Sequence, residues 1–253
     1  MITVVLIGSG NVAQHLIKAF AKSKKVTVIQ AFSRQKEQLN YLLDSSKITN
    51  DYSALVEADI YIMAVSDDAI ATVSEQLPFK NRLVVHTSGS VSINSLDKKN
   101  RKGVFYPLQT FSKNAIVDFS QIPICIESEN DTDLILLEKI AKQISDNAYK
   151  INEEQRKALH VAAVFVNNFV NYMYQIGNEI CTENNVSFEI LKPLIFETAN
   201  KVLTLSPKEA QTGPAKRNDI QTIDSHLSFL SNENHAKIYK TLTQSIQNNG
   251  KKL

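Results

Sequence analysis

The sequence predicts an α/β fold, a doubly wound parallel sheet followed by an all-helical C-terminal domain. Three observations predict it. Over residues 1–151, short apolar runs alternate with stretches of helical period, the pattern of βαβ units. The chain opens on one such run followed at once by a glycine-rich turn, "VVLIGSGNVAQHL" from Val4 to Leu16. After Ile151 the β-branched runs stop and apolar residues recur at helical spacing, so residues 152–253 are expected to form a second, helical domain.

Strand-forming residues begin at Ile2, and a helix is expected through Phe20. "VTVIQAF" (Val26 to Phe32), "IYIMAV" (Ile60 to Val65) and "LVVH" (Leu83 to His86) read as further buried strands, with Ile122 to Ile126 and Ala148 to Ile151 extending the sheet. Helical stretches fill the gaps at Gln35 to Leu43, Asp67 to Gln76 and Asp131 to Ser145. In the second half, helices are expected at Glu154 to Thr182, Ser187 to Leu205, Asp219 to Leu230 and Asn232 to Asn248. The segment "SPKEAQTGPAKRNDI", with two prolines and a glycine, reads as a loop.

Composition narrows the class. With 43% hydrophobic and 21% charged residues the chain has the balance of a globular protein, large enough to fold without staples. A formal net charge of +2 with scattered Lys and Arg excludes a polyanion-binding stripe, so no nucleic-acid partner is expected. Cys125 and Cys181 match no zinc or redox spacing and read as buried thiols, and no metal is expected. No basic segment precedes Ile2 and no apolar run reaches about 18 residues, which predicts a cytoplasmic protein with no membrane partner.

The turn after the first strand carries the spacing Gly8-x-Gly10-x-x-Ala13, with Ser9, Asn11 and Val12 between. This is the dinucleotide fingerprint of a Rossmann-like fold. Gly8 makes the tight turn, Gly10 lets a pyrophosphate approach the backbone, and Ala13 keeps helix and strand close. The phosphates then meet free N–H groups at the helix N-terminus. At the end of the second strand, where an acidic residue would hold the ribose hydroxyls of NAD, stand Ser33 and Arg34, with no acid before Glu37. Arg34 pairing with a 2′-phosphate, helped by the Ser33 hydroxyl, predicts NADP(H) with a preference of about 10- to 150-fold. Ala64, Val65 and Ser66 close the next buried strand and are expected beside the nicotinamide ribose; Asp67 and Asp68 read as helix caps.

Candidate substrate groups follow the later strands. Ser88, Gly89 and Ser90 in "HTSGS" offer hydroxyl and backbone donors to a carboxylate, with Gln109 and Thr110 nearby, while His86 reads as a core histidine. On the long helix, His160, Val164, Asn167 and Asn171 fall on one face, with Asn168 beside them. Reducing a carbonyl requires a proton donor, and histidine, whose ordinary pKa lies near neutrality, fits that role at His160. Asn167 or Asn168 would orient the carbonyl, or the same polar groups would form a hydrogen-bonded seam between helices. Lys216 and Arg217 are candidates for an anionic group, and Asp219 for a helix cap.

Over nearly its full length the chain resembles a family joining a Rossmann-like NADP-binding domain to a helical domain of the DUF2520 type. The features that carry the resemblance are "IGSGNVAQHL", "FSR", "HTSGS", "YPLQTFS", "ALHVAAVFVNNF" and "TGPAKRND". The wider group is similar to 6-phosphogluconate and 3-hydroxyacid dehydrogenases, ketopantoate reductases and pyrroline-5-carboxylate reductases. The resemblance implies NADP-dependent reduction of a small oxo acid or imine, in a homodimer built through the helical domain. One departure is plain. Hydroxyacid dehydrogenases of this group carry a helix lysine four residues before an asparagine, where this chain has Val164 before Asn168 and Ala163 before Asn167. His160, one turn earlier, is its expected substitute. A ketopantoate-like oxo acid is the first expected substrate; an imine or pyrroline carboxylate, or a non-catalytic NADP(H) sensor, are the alternatives.

Overall fold

The structure, a computed structural model, describes residues 1–113 and 116–249. The elements of the sheet region are β1 (Ile2–Ile7), α1 (Asn11–Phe20), β2 (Val26–Phe32), β3 (Ile48–Thr49), β4 (Ile60–Met63), α2 (Ile70–Glu75), β5 (Leu83–His86), β6 (Arg101–Pro107), β7 (Ile124–Ser128), α3 (Asp131–Ala141) and β8 (Ala148–Lys150). The strands form one sheet in the order β3-β2-β1-β4-β5-β6-β7-β8. It is parallel throughout except where β7 runs antiparallel to β6, with Tyr106 opposite Cys125. The chain moves outward from β1 to β3, then returns to β1's other side at β4. The switch point therefore lies between β1 and β4, where such sheets open a crevice.

Burial on both faces explains the unbroken apolar runs. Val4 and Leu6 of β1 join one core with Leu16 and Phe20 of α1, while Val5 and Ile7 point into the opposite core with Met63 and Ile70. All four β1 side chains are fully buried.

Several predicted elements differ. Gln35 to Leu43 holds only a 3-10 turn at Lys36–Gln38 followed by turns, although Leu39 is buried and Leu42 and Leu43 pack partly against the same core. β4 stops at Met63, two residues short, and β7 starts at Ile124, after Pro123, which has no N–H for the ladder. α3 ends at Ala141 rather than Ser145. The two-residue β3 lacks any sequence signal, and the Arg101-Lys102 opening of β6 obscures that strand.

The expected long helix is three segments: α4 (Glu153–Ala163), a π-helical stretch Val164–Phe169, and α5 (Val170–Glu183). Asn152 and Gln155 start α4 with a reciprocal capping box. Next come α6 (Lys192–Thr204), α7 (Pro207–Ala210), α8 (Pro214–Arg217), α9 (Ile220–Phe229) and α10 (Glu233–Asn249). The predicted loop thus contains α7 and α8, each opened by a proline whose fixed φ suits a first helical turn. Asp219 caps α9, accepting from the Thr222 N–H at 3.1 Å.

The chain divides into two compact units, Met1–Phe165 and Val166–Leu253, so α4 belongs to the unit of the sheet. In the second unit Ile190, Leu194, Phe196 and Leu203 stand 62–81% exposed. Cys125 is buried, whereas Cys181 is only half-buried, contrary to expectation. Among the described residues no helix is long and apolar enough to cross a membrane, and no group of three or more His, Cys, Asp or Glu is placed to hold a metal ion.

Candidate active site

The C-terminal ends of β1, β2, β4 and β5 meet at one cavity of about 950 Å³. Ladder bonds carry past each strand end and fix the rim: Gly8 N–H to Phe32 at 2.9 Å, Ala64 N–H to Ile7 at 2.8 Å, and Thr87 N–H to Met63 at 3.1 Å. Gly8, Ser9, Gly10, Asn11, Val12, Ser33, Arg34, Ala64, Val65 and Ser66 all line it, as does Gln109. Gln38, Tyr52, Thr87 and Phe111 line it too, although sequence reasoning passed over them. Their only signal was adjacency to the strand ends.

The two glycines do different work. Gly8 has φ +126°, and a Cβ there would lie 2.2 Å from the Ala64 carbonyl oxygen, so the turn itself demands glycine. A Cβ on Gly10 would meet nothing within 4 Å; it would project into open space at the cavity rim. Gly10 is also the N-cap of α1, and no side chain caps that helix. Its first-turn N–H groups are left for an anion. The residues present therefore fit a dinucleotide pyrophosphate.

Beyond β2, Arg34 is exposed and makes no salt bridge among the described residues. Tyr52 stacks on Phe32 at 4.0 Å between ring centroids and 11° between planes, forming a flat wall of the cavity next to that guanidinium. Buried Ser33 sends its hydroxyl proton to the Gln35 carbonyl at 2.6 Å and accepts from the Gln35 N–H at 3.2 Å. Its side chain shapes the turn that presents Arg34.

The "HTSGS" segment leaves the cavity at Thr87 and turns back on itself. Ser88 Oγ accepts from the N–H groups of Ser90 and Val91 at 3.1 and 3.0 Å. Ser90 Oγ donates to Asp67 at 2.5 Å. Asp67 thus anchors this turn instead of capping the helix, and Ser66 is the N-cap of that 3-10 turn. His86 is fully buried, with Nδ1 accepting from the Ser88 N–H at 3.2 Å. Burial first, then the positive charge of Arg156, lowers its pKa to about 4, consistent with a neutral core histidine.

Two residues of α4 grip this turn. Arg156, wholly buried, donates to the carbonyls of Val91 at 2.7 Å and Ser88 at 3.2 Å and pairs with Glu127 of β7. His160, one helical turn on, has Nδ1 3.0 Å from the hydroxyl of Tyr106. Gly89 lies against that ring, since a Cβ there would fall 2.5 Å from His160 Nδ1. Sequence reasoning missed Arg156 and Tyr106. "EEQRKALH" reads as a solvated helix face, and only burial distinguishes its arginine.

Asn167 and Asn168 lie in the π-helical stretch and are exposed. Each extra residue in a π turn rotates the remainder of the helix, so the single helical face expected for His160, Val164, Asn167 and Asn171 does not exist. Lys216 and Arg217 are exposed on α8 in the second unit, not on a loop.

Comparison with known proteins agrees with this geometry. Residues 3–89 match the family described as NADP oxidoreductase coenzyme F420-dependent, and residues 122–246 match the domain of unknown function DUF2520. The chain is 39% identical to BF3122 of Bacteroides fragilis, described as a candidate NADP oxidoreductase, over 98% of each chain and with a TM-score of 0.88. Two more distant structures share the fold. A reductive aminase of Aspergillus terreus, in complex with NADPH and ethyl levulinate, is 11% identical over 98% of this chain and 94% of its own, with a TM-score of 0.73. A pyrroline-5-carboxylate reductase of Coxiella burnetii is 16% identical over 99% and 97%, with a TM-score of 0.59. No curated protein matches the chain. With a fingerprint turn open to phosphate and a relative of this identity over the whole length, the chain belongs to the family of two-domain NADP oxidoreductases that join a Rossmann-like domain to DUF2520, and NADP is its cofactor.

Proposed function

We propose that the protein reduces a small carboxylate-bearing oxo acid of the ketopantoate type, with His160 as proton donor. The observation that carries this reading is His160 held at the Ser88–Ser90 turn, whose neighbour Thr87 lines the cofactor cavity. Bound in that cavity, NADPH would supply the hydride for the new C–H bond. His160 gives the proton that turns the carbonyl oxygen into a hydroxyl. Arg34 would hold the 2′-phosphate, the first turn of α1 would hold the pyrophosphate, and Ala64 to Ser66 would serve the nicotinamide side. Ser88, Gly89, Ser90 and Gln109 of the first unit serve the substrate.

A second reading, reduction of an imine or pyrroline carboxylate, is favoured by one feature. The acid at the turn is Asp67, while Arg156 is occupied by Glu127 and two carbonyls, so the polar cluster of the first unit suits a cationic iminium. The exposed apolar side chains Ile190, Leu194, Phe196 and Leu203 support a homodimer through the helical region, each contributing about 1.5–3 kcal/mol if fully covered by a second copy.

The test is NADPH oxidation across 2-oxo acids and cyclic imines, with the His160→Gln variant alongside. An oxo acid whose turnover drops by about 100-fold or more in the variant, with NADPH affinity intact, supports the first reading. Turnover of an imine alone, little changed in His160→Gln, supports the second. A wild-type rate with an oxo acid removes His160 from the chemistry.

A further inference from the structure

We propose that Tyr106 is a positioning residue for His160: its phenol donates to Nδ1 and holds the neutral imidazole in the Nε2–H form, and as Nε2 gives its proton to the substrate oxygen the phenolic proton passes to Nδ1, the tyrosinate then being reprotonated from solvent. This deepens the reading above and, for its effect on turnover, rests on His160 being the donor.

The geometry is closed on three sides. Tyr106 Oη and His160 Nδ1 are 3.0 Å apart, with the rings edge to face at 66° and 6.0 Å between centroids. The bare backbone of Gly89 forms the third wall; a Cβ there would lie 2.5 Å from Nδ1 and 2.8 Å from Tyr106 Cζ. Arg156, four residues back on α4, ties the helix to the carbonyls of Ser88 and Val91. Tyr106 itself is 9% exposed and packs with Ile93, Val104 and Cys125, so the hydroxyl is delivered by the sheet rather than by a mobile side chain.

Direction follows from what each atom would lose. If Nδ1–H donated to the phenol oxygen, the phenolic proton would be left without a partner at a largely buried site, the more costly arrangement. Burial pushes the Tyr106 pKa up to about 12, so the phenol keeps its proton through the neutral range. The titratable groups around the pair are Asp67, bonded to Ser90 on the turn; Arg156 and Lys157 on α4; Glu127 and Cys125 on β7; and His86 on β5. Arg156 is paired with Glu127, and Lys157 with Glu153 at 2.6 Å.

A phenol that fixes one tautomer differs from a packing residue in what its removal does. The test is long-range 1H–15N correlation on the full-length, 15N-histidine-labelled chain at about pH 8, above the ordinary imidazole range. His160→Gln identifies the His160 signals among the five histidines. The wild type is expected to show the Nε2–H form and Tyr106→Phe, which keeps the packing, a mixture of tautomers. An Nδ1–H form in the wild type, or an unchanged tautomer in Tyr106→Phe, overturns the proposal; the first needs no variant to fold. With a turned-over substrate, Tyr106→Phe is expected to lower kcat by about 5- to 10-fold with KM for NADPH unchanged. If the tautomer responds but His160→Gln leaves turnover intact, the donor reading fails while the tautomer lock stands.

Discussion

Two nitrogens of Arg156, Nη2 and Nε, reach the same carboxylate oxygen of Glu127 at 3.2 and 3.3 Å, and the guanidinium has no solvent exposure. The third nitrogen holds the backbone carbonyls of Ser88 and Val91, so this one side chain joins β7, α4 and the turn after β5. Glu127→Ala leaves the guanidinium buried with carbonyls alone. We expect a stability loss of about 3 kcal/mol in denaturant unfolding, because an uncompensated buried charge costs more than the pair contributes. A loss below about 1 kcal/mol would mean that water reaches Arg156.

The fingerprint glycines should separate in experiment. Gly8→Ala places a methyl against the Ala64 carbonyl in a backbone region L-residues avoid, and is expected to unfold or strongly destabilise the chain. Gly10→Val has open space around its Cβ, so thermal stability should hold while NADPH binding is abolished by the side chain in the phosphate path. Retained affinity in Gly10→Val, measured by fluorescence titration, would move the pyrophosphate elsewhere.

Arg34→Ala is expected to weaken NADPH by about tenfold or more and to change NADH little, since Arg34 is exposed and without a salt bridge among the described residues until a 2′-phosphate arrives. Parallel titrations with both cofactors decide it. Equal losses would assign Arg34 to the adenine ring.

His86 makes stability depend on pH. Its pKa is about 4 in the folded chain against 6.5 for the ordinary group. Above pH 6.5 both states are neutral and the full stability is present. As pH falls from 6.5 toward 4, the unfolded chain takes up a proton the folded chain refuses, costing about 1.4 kcal/mol per unit and about 3 kcal/mol in all. Urea unfolding at pH 7 and pH 5 should differ by about 2 kcal/mol from this residue, a difference His86→Gln removes.

The nucleotide half was readable because its signals are local. An apolar strand, a turn requiring glycine at residue 8 and an uncapped helix start lie within a dozen consecutive residues, and backbone geometry there follows from residue type. Arg34 was legible because strand length fixes where β2 ends. Helix boundaries were legible where a cap is explicit, as at Asp219, and illegible at Gln35 to Leu43, where Leu39, Leu42 and Leu43 fall at helical spacing and pack on the core without forming a helix. No side-chain signal announces the π stretch Val164–Phe169, so the asparagine face was drawn on the wrong period.

By itself the sequence determined the α/β order, the dinucleotide turn, the NADP(H) cofactor and the helical character of the second half, all consequences of periodicity and residue type at short range. Tertiary structure alone decided that Arg156 is buried rather than solvated, that Asp67 ties down Ser90, and that Tyr106 meets His160. Those partners lie 23 to 68 residues apart in the chain. Burial and pairing at such separations depend on how strands and helices pack, and no local pattern of residues carries that information.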